Sequence, residues 1–128
     1  MKTIFIVDDN ATNLVTAKNV LDGIYKTYAM PSAEKMFQLL GKITPNLILL
    51  DVEMPEMNGF EALLALKSDE KLSNIPVIFL TAKHDAESEK RGLEMGAVDF
   101  INKPFSPPVL IKRIEAHIET DKSNIGGN

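Results

Sequence analysis

A chain of 128 residues is the size of one domain, long enough to bury a sizeable core without disulfides or a structural metal. Hydrophobic residues make up 45% and charged residues 25%, cysteine is absent and no apolar run approaches a membrane span, which argues against disorder, a disulfide scaffold, a thiolate metal site and membrane residence. A net charge of −4 without any basic run argues against binding of a nucleic-acid backbone by this domain, and a cytoplasmic location is expected.

Ile4, Phe5, Ile6 and Val7 form an apolar run that suits a buried strand and that Asp8 and Asp9 cut off before it could serve as a signal-peptide core. Asn10 or Thr12 can cap a first helix whose inner face is Leu14, Ala17, the Lys18 stem and Leu21, with Gly23 as its stop. A second strand is predicted over residues 25–30. Ser32 opens the second helix, with Glu34 close behind and Ala33, Met36, Phe37 and Leu40 at helical spacing before Gly41. A third strand over residues 47–50 runs into Asp51. Met54-Pro55 and Asn58-Gly59 then provide turn chemistry, where asparagine and glycine accept positive φ, and a third helix turns Phe60, Leu63, Leu64 and Leu66 inward.

The fourth strand, residues 77–80, leads to Thr81. The fourth helix, residues 85–95, offers only Ala86, Lys90, Leu93 and the nearby Ala97 as a face. Gly92 inside it costs ~1 kcal/mol against alanine, so little holds this helix down. Strand five, residues 98–101, precedes Lys103-Pro104. The last helix opens at Ser106-Pro107, where proline suits the first helical position, and carries Leu110, Ile111, Ile114 and Ile118. Residues 1–120 therefore read as the domain and 121–128 as a flexible tail or the start of a linker.

Five strands alternating with five helices imply parallel pairing, right-handed crossovers and helices on both faces of an open α/β sandwich. In such sheets the site lies beyond the carboxyl ends of the strands, and Asp8, Asp9, Asp51, Thr81 and Lys103 all stand there. At ~5 Å and an effective dielectric of ~20, each pair of carboxylates repels by roughly 3 kcal/mol, which points to a bound cation or a raised pKa. Taken singly, each residue has a plain alternative: a solvated turn or cap for Asp8-Asp9, a loop acid for Asp51, a strand-end hydroxyl for Thr81, a solvated lysine for Lys103. Jointly those alternatives require coincidences at four strand ends. No glycine-rich turn follows the first strand, which removes dinucleotide binding.

The succession Ile6-Val7-Asp8-Asp9-Asn10, Leu50-Asp51 through Asn58-Gly59, Leu80-Thr81-Ala82 and Lys103-Pro104-Phe105 closely resembles the receiver domains of two-component response regulators, over residues 2–118. The resemblance implies the flavodoxin-like strand order 2-1-3-4-5. It also implies that Asp51 accepts a phosphoryl group from the phosphohistidine of a sensor histidine kinase or a phosphotransfer protein, and that the signal passes to an output domain or target protein. It implies Mg²⁺ (or Mn²⁺) held directly by Asp9 and Asp51, through water by Asp8 and by the backbone carbonyl of Glu53. Lys103 would pair with a phosphate oxygen, aimed by a cis peptide to Pro104, and Thr81 would donate to another. Phe100 would swing inward on activation, switching the surface made by the fourth helix, fifth strand and fifth helix. The domain would catalyse its own phosphorylation and dephosphorylation without being a conventional enzyme, and Glu53 opposed by Lys83 would tune phosphoryl lifetime. His117 is expected to be packed or half-exposed rather than a relay, and His84 to lie on a loop beside the site. Two rivals remain: a receiver-like binding module that signals without phosphorylation, and a dehalogenase-like phosphatase, for which the chain is short and the nucleophile follows the third strand rather than the first.

Overall fold

The computed structural model describes residues 1–82 and 86–118, so Lys83, His84 and the predicted tail lie outside the described residues. The chain runs β1 (Thr3–Val7), α1 (Ala11–Leu21), β2 (Lys26–Met30), α2 (Ala33–Leu40), β3 (Leu47–Asp51), α3 (Gly59–Lys67), β4 (Val77–Thr81), α4 (Ala86–Met95), β5 (Asp99–Asn102) and α5 (Pro107–Ile118). The five strands are parallel in the order β2-β1-β3-β4-β5. Every residue of β3 and β4 is buried, as expected of strands covered on both faces. One core layer joins Phe5, Ile48, Leu50, Phe79 and Phe100 to α2 and α3; the other joins Ile4, Ile6, Leu49, Ile78 and Ile101 to α1 and α5.

Local chemistry sets the helix starts. Asn10 accepts from the Asn13 amide, Ser32 from that of Lys35, and Asn58 forms a reciprocal capping box with Glu61. Ser106 Oγ accepts from the Val109 amide at the head of α5.

Five local expectations are corrected. β2 starts one residue later than predicted because Tyr25 forms an isolated bridge with Asp22, and β5 is shifted one residue on, leaving Val98 before it. In α3 the buried residues are Gly59, Phe60, Ala62, Leu63 and Leu66, so Phe60, Leu63 and Leu66 face inward as predicted, while Leu64 is 60% exposed. In α4, Ala86 and Lys90 are exposed and Leu93 is largely so; the buried residue is Gly92, whose missing side chain lets the helix rest directly on the sheet. In the β3–α3 loop the positive φ falls on Glu56, at 69°, whereas Asn58 is extended and Gly59 is needed for close approach to the Asp51 carbonyl and the Phe79 ring.

The α3 correction is open to a paired measurement. Leu63→Ala should lower the free energy of unfolding by about 3 kcal/mol by leaving a cavity. Leu64→Ala should change it by less than about 0.5 kcal/mol, as at other surface positions. Urea unfolding followed by circular dichroism distinguishes the two, and equal losses would mean that the helix face is misassigned.

Candidate functional site

Because β1 and β3 are neighbours in register, with Val7 opposite Leu50, the residues that follow them, Asp8 and Asp51, come out side by side at the sheet edge. Asp8 is fully buried, Asp51 is 4% exposed and Thr81 is 3% exposed. Asp9 points to solvent. One carboxylate oxygen from each of Asp8, Asp9 and Asp51 lies within 4.8 Å of the others. Lys103 Nζ sits between the two buried acids, donating to Asp8 Oδ2 at 2.9 Å and to Asp51 Oδ1 at 3.2 Å.

Backbone contacts hold these groups in place. Asp8 Oδ1 accepts from the Asn10 amide at 2.9 Å, and the Glu53 amide approaches Asp51 Oδ1 at 3.4 Å. The Val52 amide donates to the Leu80 carbonyl and the Gly59 amide to the Val52 carbonyl, which fastens the loop after β3 to the neighbouring strand and helix. Lys103 follows β5, and its amide donates to the Thr81 carbonyl at the end of β4 at 2.8 Å, which anchors the lysine as it reaches across the site; its peptide bond to Pro104 is cis. Thr81 lies one residue beyond Leu80, the register partner of Asp51.

Burial, reinforced by the neighbouring Asp8 charge, raises the Asp51 carboxyl from 3.8 to about 7, with Lys103 opposing the rise. Burial by itself would lower Lys103, but its hydrogen bond to Asp8 and the charges of both acids outweigh that and hold it above its ordinary value. With all three acids ionised and Lys103 charged, the cluster carries −3 + 1 = −2. That charge and the all-oxygen donor set match a hard divalent cation better than a soft one. Three carboxylates plus backbone carbonyls also leave room for the several waters that magnesium retains.

The other predicted residues divide clearly. Glu53 is exposed at the mouth, while Lys83 lies outside the described residues. Phe100 is buried, its ring 5.2 Å from that of Phe79. His117 is half-buried on α5 and pairs with Asp99 at 3.1 Å, where Arg113 also bonds, so it stands away from the acidic cluster. Gly59 was missed as a positioning element, because its role depends on the approach of a helix to Asp51 that spacing does not reveal.

The family described as the response regulator receiver domain matches residues 4–115. The chain belongs to that family. This receiver domain is 39% identical over 121 residues, 94% of the chain, to a probable cyclic di-GMP phosphodiesterase of Vibrio cholerae, of which it spans 27%. It is 38% identical over 117 residues, 90% of the chain, to the phosphate regulon transcriptional regulatory protein PhoB of Pseudomonas aeruginosa, of which it spans 51%. The receiver thus covers about half or less of these curated relatives. Among solved structures, a putative response regulator from Chloroflexus aurantiacus superposes with a TM-score of 0.87 at 30% identity, covering 91% of this chain and 97% of that one. The receiver of a histidine kinase from Syntrophus aciditrophicus gives 0.85 at 35% identity, covering 94% and 92%. The receiver therefore has the flavodoxin-like fold and serves two-component signalling. Among the described residues no helix is long and apolar enough to cross a membrane.

The raised Asp51 carboxyl has a signed consequence for stability. Unfolded Asp51 gives up its proton near pH 4 and folded Asp51 near 7, so between these values the folded state binds more protons, and metal-free stability falls as pH rises through that window. In chelator at pH 7.5, Asp51→Asn should be more stable than the parent by about 2 kcal/mol, part of the full effect being screened by water at the mouth, or about 7 °C in Tm. The gap should close toward pH 4. Thermal scans at both pH values check this, and a variant no more stable than the parent at pH 7.5 would contradict it.

Proposed function

We propose that this receiver takes a phosphoryl group onto Asp51 from the phosphohistidine of a sensor histidine kinase or phosphotransfer protein, with the help of a divalent cation, magnesium or manganese. The observation that carries this reading is the placement of one buried, charge-strained carboxylate, Asp51, within reach of both Lys103 and two further acids. An Asp51 oxygen attacks phosphorus as the bond from phosphorus to the histidine nitrogen breaks, and the freed imidazole takes up a proton from water. The cation, bound when Asp8, Asp9, Asp51 and the Glu53 carbonyl converge, supplies neutralisation of the phosphoryl oxygens. Asp8 and Asp9 hold that charge beside Asp51. Lys103, already spanning Asp8 and Asp51, releases Asp51 and follows the arriving negative charge as a point cation. The Thr81 hydroxyl donates to a second phosphoryl oxygen, and its movement is coupled to the Phe100 ring, which is already buried against Phe79 in this structure. In the reverse reaction water attacks the acyl phosphate; Glu53, with Lys83, is assigned the tuning of that step.

The near doubling of negative charge at Asp51 biases a two-state element, and the surface of α4, β5 and α5 carries the change to an output domain or target. The domain spans residues 1–120, and the cytoplasm is its assigned location.

Intact mass spectrometry after incubation with acetyl phosphate and Mg²⁺ tests the proposal. One phosphoryl adduct is expected, at least ~100-fold less in Asp51→Ala or in chelator. An unmodified parent, or an equal adduct on Asp51→Ala, would overturn it. In the same assay Glu53→Ala should change adduct lifetime severalfold without preventing its formation.

A further inference from the structure

A set of aromatic and glycine contacts links the site to α4. Phe79 is fully buried with Phe60 at 5.3 Å on one side and Phe100 at 5.2 Å on the other. Glycines from two different helices close on its edges. A Cβ on Gly59 would stand 2.9 Å from Phe79 Cε1, and one on Gly92 would stand 3.0 Å from Phe79 Cε2. That same Gly92 Cβ would meet Phe100 at 2.7 Å from Cζ and 2.8 Å from Cε1, closer than real Cβ atoms come. Gly92 is the residue of α4 that is buried, so the helix seats on these rings through bare backbone. Arg91 also ties α4 to α3: its guanidinium lies 4.4 Å over the Phe60 ring, while the residue is otherwise exposed.

From this geometry we infer that Gly92 is the steric gauge of the switch: the inward Phe100 ring and the docked α4 fit together only because position 92 lacks a side chain. The inference deepens the phosphoacceptor reading and rests on it for what moves Phe100. When the ring leaves, a void the size of a phenyl group opens beneath position 92, where glycine offers no side chain to fill it, so the helix must resettle. When the ring is inside, the helix can dock only on glycine. Local propensity makes the opposite demand, since alanine is a far better helix former than glycine. Glycine at this place therefore costs helix stability and gains compatibility with the inward ring.

The sign of one substitution separates the gauge from propensity. If propensity alone acts, Gly92→Ala raises the unfolding midpoint equally in the parent and in a Phe100→Leu background. If Gly92 gauges the ring, Gly92→Ala lowers the midpoint by several degrees in the parent and fails to lower it in Phe100→Leu, which lacks the two clashing atoms. A second measurement covers the case in which Phe100 escapes outward and relieves the strain. The chain has six phenylalanines; with 4-fluorophenylalanine incorporated, Phe100→Leu identifies the Phe100 fluorine signal, and a soluble paramagnetic agent reports its exposure. In unphosphorylated Gly92→Ala this signal should become at least threefold more exposed than in the parent if the midpoint is not lowered. Equal midpoint gains in both backgrounds with a shielded Phe100 signal would overturn the inference. Neither measurement uses phosphoryl transfer, so absence of the Asp51 adduct would remove the phosphoacceptor reading alone and leave the steric gauge to be judged by these results.

Discussion

The bridge from Lys103 to Asp8 and Asp51 is the interaction on which the site depends. Two carboxylates buried at adjoining strand ends repel each other and have lost most of their water, and each such ion costs several kcal/mol to desolvate. An ammonium at 2.9 Å and 3.2 Å offsets that cost, since at ~3 Å and an effective dielectric of ~20 each attraction is roughly 5 kcal/mol. The offset is incomplete, and the raised Asp51 carboxyl is its visible residue. A site left with surplus negative charge attracts cations. A lysine already shared between two acids can also change partners when a third anion arrives.

The fold supplies the rigidity that such a balance needs. β3 and β4 are buried along their whole length, and α3 lies so close that its first residue touches the Asp51 carbonyl. Asp51 is thereby held from the strand below, the loop beside it and the helix above. α4 is built differently, with exposed charges over most of its surface and a glycine where an apolar side chain would ordinarily anchor it. A small charge change at the rigid centre therefore meets its least resistance at that helix. Catalytic precision and conformational response are assigned to different elements, and the Phe79 and Phe100 rings form the contact between them.

The same separation suits a unit that recurs in proteins as different as a regulator of transcription and a phosphodiesterase relative, each much longer than this chain. The acidic edge lies at the carboxyl ends of β1 and β3, whereas β5 and α5 meet lower on the sheet, where Asp99 binds both Arg113 and His117.

Much of this was readable from the chain itself. The apolar runs, the acids that end them and the caps at Asn10 and Ser32 are short-range features, and each depends on residues within a few positions of itself. The strand order came from the family resemblance rather than from periodicity. Tertiary structure decided what depends on distant neighbours: that Ala62 rather than Leu64 faces inward, that Glu56 takes the positive φ, that Lys103 reaches Asp8, and that Gly92 meets Phe100. A helical stripe can be recognised from spacing, but its phase is set by the surface it must fit. A glycine looks like a defect in one dimension and becomes a contact only when the ring that fills its place arrives from another strand.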